Sequence, residues 1–274
     1  MIITDAQVHI WGANTPERPW PPGGESRAQR SVPLGVEELI AEMNGAGVER
    51  AVIVPPSWEG DRNDLAIAAA SLHPTRVGVM GRLDLRHPLS GDLSRWRDQT
   101  GMLGVRHTFH VDVAIDDAEW FWPKAVEAEI PVMLFAPGRT AEFGSVARRF
   151  PGLRLIIDHL NASTSVALAD LAGIIDDLLP LSELDNVAVK VSALPCLLRG
   201  SESIADLAPH IRRVVDGFGA DRSMWGSDIS RLPIAYSEWV DAGRAGFGVL
   251  STAETVQVMG ESLSNWLDWP SLAT

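Results

Sequence analysis

The chain has 274 residues, with 36 Asp and Glu against 23 Lys and Arg, a formal charge of −13 and 46% hydrophobic residues. That apolar content is enough to build a core, so an unfolded polyelectrolyte is excluded. The acidic balance and the absence of a Lys/Arg cluster argue against nucleic acid and anionic membrane as partners, since both need a basic face.

The length allows one large domain or two small ones, and α/β barrels commonly reach about 250 residues as a single unit. Cys196 is the only cysteine, so no internal disulfide is expected. The start Met1-Ile2-Ile3-Thr4-Asp5 lacks the basic segment and apolar run of a secretory leader, and a cytoplasmic protein is expected. No run of about 18 apolar residues is present, so no bilayer span is expected.

Short β-branched runs alternate with segments of helical period, the pattern of parallel strands joined by crossover helices. In chain order, strands are predicted at 2–9, 51–55, 77–83, 103–108, 131–135, 153–158, 187–191 and 223–226. Amphipathic segments at 36–46, 63–72, 118–129, 165–179 and 204–218 read as helices between them. Eight βα units favour a closed barrel forming one domain over residues 1–274.

An open doubly wound sheet is the alternative, but the glycine-rich turn that marks it is missing after the first strand. Gly217-Phe218-Gly219 sits at a helix end and reads as a C-cap. No Walker sequence, His-Glu-x-x-His, paired Cys-x-x-Cys or Gly-x-Ser-x-Gly elbow is present. Residues 12–33 carry five prolines, Trp20, Arg18, Arg27 and Arg30 directly after the first strand. A loop this long at a strand's carboxyl end lies on the face where barrel enzymes keep their sites, and it reads as a lid.

Polar residues gather at predicted strand ends. Residues two apart on a strand point the same way, so Asp5, Gln7 and His9 are expected to share the barrel interior, a costly arrangement without a purpose. The apolar run 153–157 ends in Asp158-His159, and Met224-Trp225-Gly226-Ser227 ends in Asp228. Asp228 is the candidate general base or metal ligand, and His9 and His159 are candidate catalytic imidazoles. Arg106, Arg82, Lys190 and Arg231 occupy comparable positions and point to an anionic small molecule as substrate, since a guanidinium holds a carboxylate by two hydrogen bonds. Arg82 and Lys190 have a competing reading as partners of nearby acids.

Asp5-Ala6-Gln7-Val8-His9, Asn63, Gly104-Val105-Arg106, Asp158-His159 and Trp225-Gly226-Ser227-Asp228 together resemble the amidohydrolase superfamily. The resemblance is to its lactonase-type branch, which includes 2-pyrone-4,6-dicarboxylate lactonase, sulfomuconolactonase, fuconolactonase-like enzymes and D-galactarolactone isomerase, and it covers nearly the whole chain. It implies a distorted (β/α)8 TIM barrel of the metal-dependent-hydrolase type, with a His-x-His motif, a later His and a final Asp on the carboxyl face.

Here the first motif histidine is Gln7. An amide is a poor donor for zinc, so the resemblance implies either no cofactor or one divalent ion, zinc or manganese, with metal independence favoured. If a cation binds, His9, His159 and Asp228 are its implied ligands. The isomerase shares the Gln, but it carries Asn where this chain keeps Asp228, which favours hydrolysis.

The expected function is a hydrolase that opens a carboxylate-bearing lactone or related cyclic ester. Asp228 would activate water, His9 and His159 would serve the oxyanion and leaving group, and Arg106 would orient the substrate acid, with Gln7, Arg82, Lys190 and Arg231 as further substrate contacts. The alternatives are lactone isomerisation in the same site, metal-dependent decarboxylation, and a ligand-binding barrel without catalysis. Assembly into a homo-oligomer is left open.

Overall fold

The computed structural model describes residues 1–85, 93–109 and 114–270. Eight parallel strands form one sheet in sequential order: β1 (Thr4–Val8), β2 (Arg50–Ile53), β3 (Val77–Gly81), β4 (Met102–Thr108), β5 (Val132–Phe135), β6 (Leu155–Ile157), β7 (Val187–Ser192) and β8 (Ser223–Gly226). All eight predicted strands are present. Parallel order with a crossover between each pair requires right-handed βα connections and rolls the sheet into a (β/α)8 barrel.

The connecting helices are α1 (Gly24–Arg27), α2 (Val36–Ala46), α3 (Asp64–Leu72), α4 (Phe121–Glu127), α5 (Thr140–Arg149), α6 (Leu171–Leu178), α7 (Ile204–Phe218), α8 (Tyr236–Arg244), α9 (Thr252–Val256) and α10 (Ser262–Trp266). α7 shows why such segments are helical. Ser203 and Asp206 form a reciprocal capping box at its start, and Leu207, Ile211, Val214, Val215 and Phe218 lie on one buried face.

The core has two parts. A large apolar layer lies between strands and helices, and a smaller one fills the barrel with Ala6, Val52, Met80, Met133, Ile156 and Met224. Leu263, Leu267 and Trp269 join the inner layer from below. α10 and the residues after it therefore plug the N-terminal end, leaving the carboxyl face open for chemistry.

The barrel closes between β8 and β1 through polar groups. Asp228 N donates to Gln7 O at 2.8 Å, and the Asp5 carboxylate accepts from Ser227 N (2.8 Å), the Ser227 hydroxyl and Tyr236 Oη (2.8 Å). A Cβ at Gly226 would meet Gln7 N at 3.2 Å and Ser192 Cβ at 3.1 Å, so a side chain there would crowd the seam.

This seam corrects one expectation. The β1–β2 register shifts between Asp5 and Val8, a bulge that breaks the strict alternation of side chains. Asp5 therefore binds Tyr236 on α8 in the outer layer, while Ala6 enters the inner layer and Gln7 and His9 turn toward the barrel axis.

Candidate active site

At the carboxyl face a cavity of about 350 Å³ opens, lined among others by His9, Trp58, Arg106, His159, Asp228 and Arg231. That volume suits a small organic ligand. His9, just beyond β1, makes a 2.5 Å hydrogen bond from Nδ1 to Val54 O. A carbonyl only accepts, so Nδ1 carries the proton and Nε2 presents a lone pair. Burial lowers the His9 pKa, partly offset by Asp228, which keeps this neutral tautomer.

His9 Nε2 lies 3.4 Å from Asp228 Oδ1 and 3.4 Å from the Gln7 amide nitrogen. The Gln7 carbonyl oxygen accepts from Lys190 Nζ at 2.7 Å, and the same ammonium pairs with Asp158 Oδ1 at 2.9 Å. Asp158 Oδ2 in turn accepts from Arg106 Nε at 3.0 Å. The result is a buried chain, Arg106–Asp158–Lys190–Gln7–His9, spanning β4, the end of β6, β7 and β1. Burial opposes charge on Asp158, but Lys190 and Arg106 outweigh it and hold the carboxyl at about 2.

Asp228 follows β8 in the left-handed region, at φ 54° and ψ 48°. Asp tolerates that conformation better than most residues, at a cost of order 1 kcal/mol or more, and such strain concentrates at functional sites. Burial would raise its pKa, yet His9, His159 and Arg231 more than offset this, so Asp228 is a carboxylate at neutral pH. Arg231 Nε sits 3.3 Å from Asp228 Oδ2.

His159, Leu160 and Asn161 are all left-handed, with φ of 54°, 54° and 57°. The Asn161 side chain stabilises this run by clamping Ala136 N and O at 2.9 and 2.8 Å. The turn brings His159 into the cavity with Nδ1 at 2.8 Å from Ser192 Oγ, and burial lowers its pKa to about 4. When the Ser192 hydroxyl donates to Nδ1, Nε2 carries the proton and is a hydrogen-bond donor.

Of the sequence-derived site residues, His9, His159, Asp228, Arg106 and Arg231 line the cavity. Gln7 and Lys190 are wholly buried parts of the chain beneath it, and Lys190 takes its competing reading as the partner of a barrel acid. Arg82 stays outside the lining. Its Nε donates to Gly60 O at 2.9 Å and pairs with Asp61 at 3.3 Å, so it braces the β2–α3 loop. His107, next to Arg106, packs its ring on Phe109 outside the cavity lining.

Trp58, Gln29 and Thr108 also line the cavity and were not singled out in the sequence; no local pattern marks them. Arg27, from α1 within residues 12–33, lines it without an acidic partner among the described residues. The same segment is pinned on one side by Arg18 to Glu59 (2.6 Å) and Asp64 (2.7 Å) and on the other by Arg30 to Ser230 O (3.2 Å).

The donor set does not fit a divalent ion. Among the described residues no group of three or more His, Cys, Asp or Glu converges as ligands would. His9 Nε2 faces the Gln7 amide nitrogen, and Gln7 itself binds the Lys190 ammonium, a fixed cation inside the site.

The sequence model of the Amidohydrolase family matches residues 4–261. The L-fucono-1,5-lactonase of Burkholderia ambifaria is 29% identical over 83% of this chain and 81% of its own. The 4-sulfomuconolactone hydrolase of Hydrogenophaga intermedia is 26% identical over 82% of this chain and 73% of its own. A probable 2-pyrone-4,6-dicarboxylic acid hydrolase from Acinetobacter baumannii, solved with citric acid bound, superposes with a TM-score of 0.80 at 17% identity, covering 98% of this chain and 100% of that one. The barrel, the polar chain beneath its open face and the match over nearly its whole length make this chain a member of the amidohydrolase family.

Proposed function

We propose that the protein is a lactonase, a hydrolase that opens the ester bond of a small lactone bearing a carboxylate, with Asp228 as general base. The two curated relatives are both named for lactones, which supports ester hydrolysis as the reaction class. The observation that carries the mechanism is the 3.4 Å approach of an ionised Asp228 to a neutral His9 whose Nε2 is unprotonated.

Water bound against Asp228 attacks the lactone carbonyl and passes its proton to the carboxylate. His9 Nε2 accepts that proton in turn, and the imidazolium returns it to the ring oxygen as the carbonyl–oxygen bond breaks. The product is a hydroxy acid, whose new carboxyl group releases one proton to solvent at neutral pH. His159 Nε2–H and the Arg106 fork are the donors for the developing oxyanion, and removal of one such donor costs roughly 3–4 kcal/mol of barrier in other enzymes. This assignment refines the roles of the two imidazoles and moves Arg106 from the substrate carboxylate to the oxyanion. A resting His9 already donates its Nδ1 proton to Val54 O, so oxyanion donation falls to His159.

Arg231 and Arg27 line the cavity and attract the substrate carboxylate. In this reading residues 12–33 are the lid, tied down by Arg18 and Arg30, which delivers Arg27 over the bound ring. The test is proton release from a panel of carboxylated five- and six-membered lactones incubated with metal-analysed protein. Turnover of carboxylated rings above their uncharged counterparts is expected; isomerised lactone without proton release would replace hydrolysis by the isomerase reading.

A further inference from the structure

At the opposite, N-terminal end of the barrel lies a second cavity, of about 420 Å³. Its walls come from the first residues of β1 and β2 and from the segment running from α9 past α10. The chain there takes a π-helical turn over Gln257–Glu261. A Cβ at Gly260 would stand 2.6 Å from Ile2 O, so glycine lets the turn pack directly on the start of β1.

Thr4 and Arg50 are register partners on the two strands and both line this cavity. Arg50 is 2% exposed, with its guanidinium carbon 3.5 Å from the centre of the Trp269 ring. Its Nε has no hydrogen-bond partner, and no ion pair reaches it among the described residues. Among the described residues the fully buried Thr4 hydroxyl is also without a partner. Burial lowers the Arg50 pKa to about 10, and the group remains charged at neutral pH. Glu261 stands exposed at the rim and makes no bond to it.

A buried cation stacked on an indole but lacking an anion is an uncompensated charge, and the stacking returns only part of what desolvation costs. A guanidinium fork with a free hydroxyl beside it is the donor set that binds a carboxylate. Met1, Ile2, Val256 and Trp269 form the apolar part of the walls, and Ser264 and Asn265 add polar groups on the α10 side. We propose that this cavity is a second ligand site, separate from the catalytic face, that binds a small organic acid with its carboxylate on Arg50 and Thr4 and its apolar body against Ile2 and Trp269.

The test is calorimetric titration of the full chain with benzoate, with acetate and inorganic phosphate as comparison arms. The variants are Arg50→Gln, Thr4→Val and, to silence the catalytic cavity, Arg106→Met. Benzoate binding that survives Arg106→Met, weakens about tenfold or more in Arg50→Gln and several-fold in Thr4→Val, and exceeds acetate binding is the expected result. Lactone turnover stays unchanged in the Arg50 and Thr4 variants. If Arg50→Gln fails to fold, Thr4→Val carries the comparison, since it removes only a hydroxyl. The proposal is overturned by any of three results: no binding up to roughly 10 mM, binding that follows Arg106 instead of Arg50 and Thr4, or phosphate binding at Arg50 without benzoate binding.

Discussion

Replacing Lys190 by Met tests the buried polar chain. The ammonium is wholly buried, 2.9 Å from Asp158 and 2.7 Å from Gln7. Methionine fills similar volume but leaves Asp158 with Arg106 alone and the Gln7 carbonyl without a donor. Breaking one side of a buried pair costs about 3–5 kcal/mol because the remaining charge is uncompensated. For a chain of this size that corresponds to a fall in Tm of roughly 5–9 °C. Gln7 would then no longer be held beside His9, so kcat should drop about tenfold or more while KM changes little. The assays are urea unfolding and lactone turnover on the same preparation. A second variant, Lys190→Met with Asp158→Leu, should lose less stability than the sum of the single changes, since it removes both charges. A Lys190→Met protein with wild-type Tm and kcat would refute the reasoning.

Arg27→Ala should raise KM for carboxylated lactones about tenfold with kcat retained, and unchanged KM would remove Arg27 and the lid from substrate capture. Between about 4 and 6.5 the folded state binds fewer protons at His159 than the unfolded state does, because burial holds its pKa down. Stability is thus lost as pH falls through that window, by about 3 kcal/mol, and His159→Gln should flatten the slope in urea unfolding at pH 4, 5 and 6.5. Asp5 acts with the opposite sign. Burial raises its pKa to about 6, so its contribution is lost as pH rises from 3.8 to 6, and Asp5→Asn should steepen the net acid-side loss. Exhaustive chelation should leave turnover within about twofold, given a donor set built around Lys190 and Gln7, and loss restored by zinc or manganese would contradict that fit.

The barrel was legible because each strand is a short β-branched run bounded by turn residues, as in Val187-Ala188-Val189-Lys190-Val191. α5 was not singled out, because Thr140–Arg149 has a central glycine and few strongly apolar residues. At the site, residue type was readable and geometry was not. Strand-end position pointed to Asp228, His9 and His159, and all three line one cavity.

The bulge that turns Asp5 outward leaves no pattern in sequence, since it depends on how β1 fits β8 and β2. Lys190 and Arg82 looked alike as cations near strand ends. Only their surroundings separate them, a buried acid for one and an exposed loop acid for the other. Nor does the sequence show that Val54 O sets the tautomer of His9, because a backbone carbonyl has no residue type.

The most direct test of the account is Asp228→Asn, measured for lactone turnover and, separately, for affinity toward a non-hydrolysed carboxylate analogue. The amide keeps the shape of the side chain and removes the proton acceptor while relieving Arg231 of its counter-charge. The prediction is a fall in kcat of about 10²–10⁴-fold, or roughly 3–5 kcal/mol of barrier, with analogue affinity equal or tighter. Turnover within a few-fold of the unaltered protein would contradict a general base at residue 228.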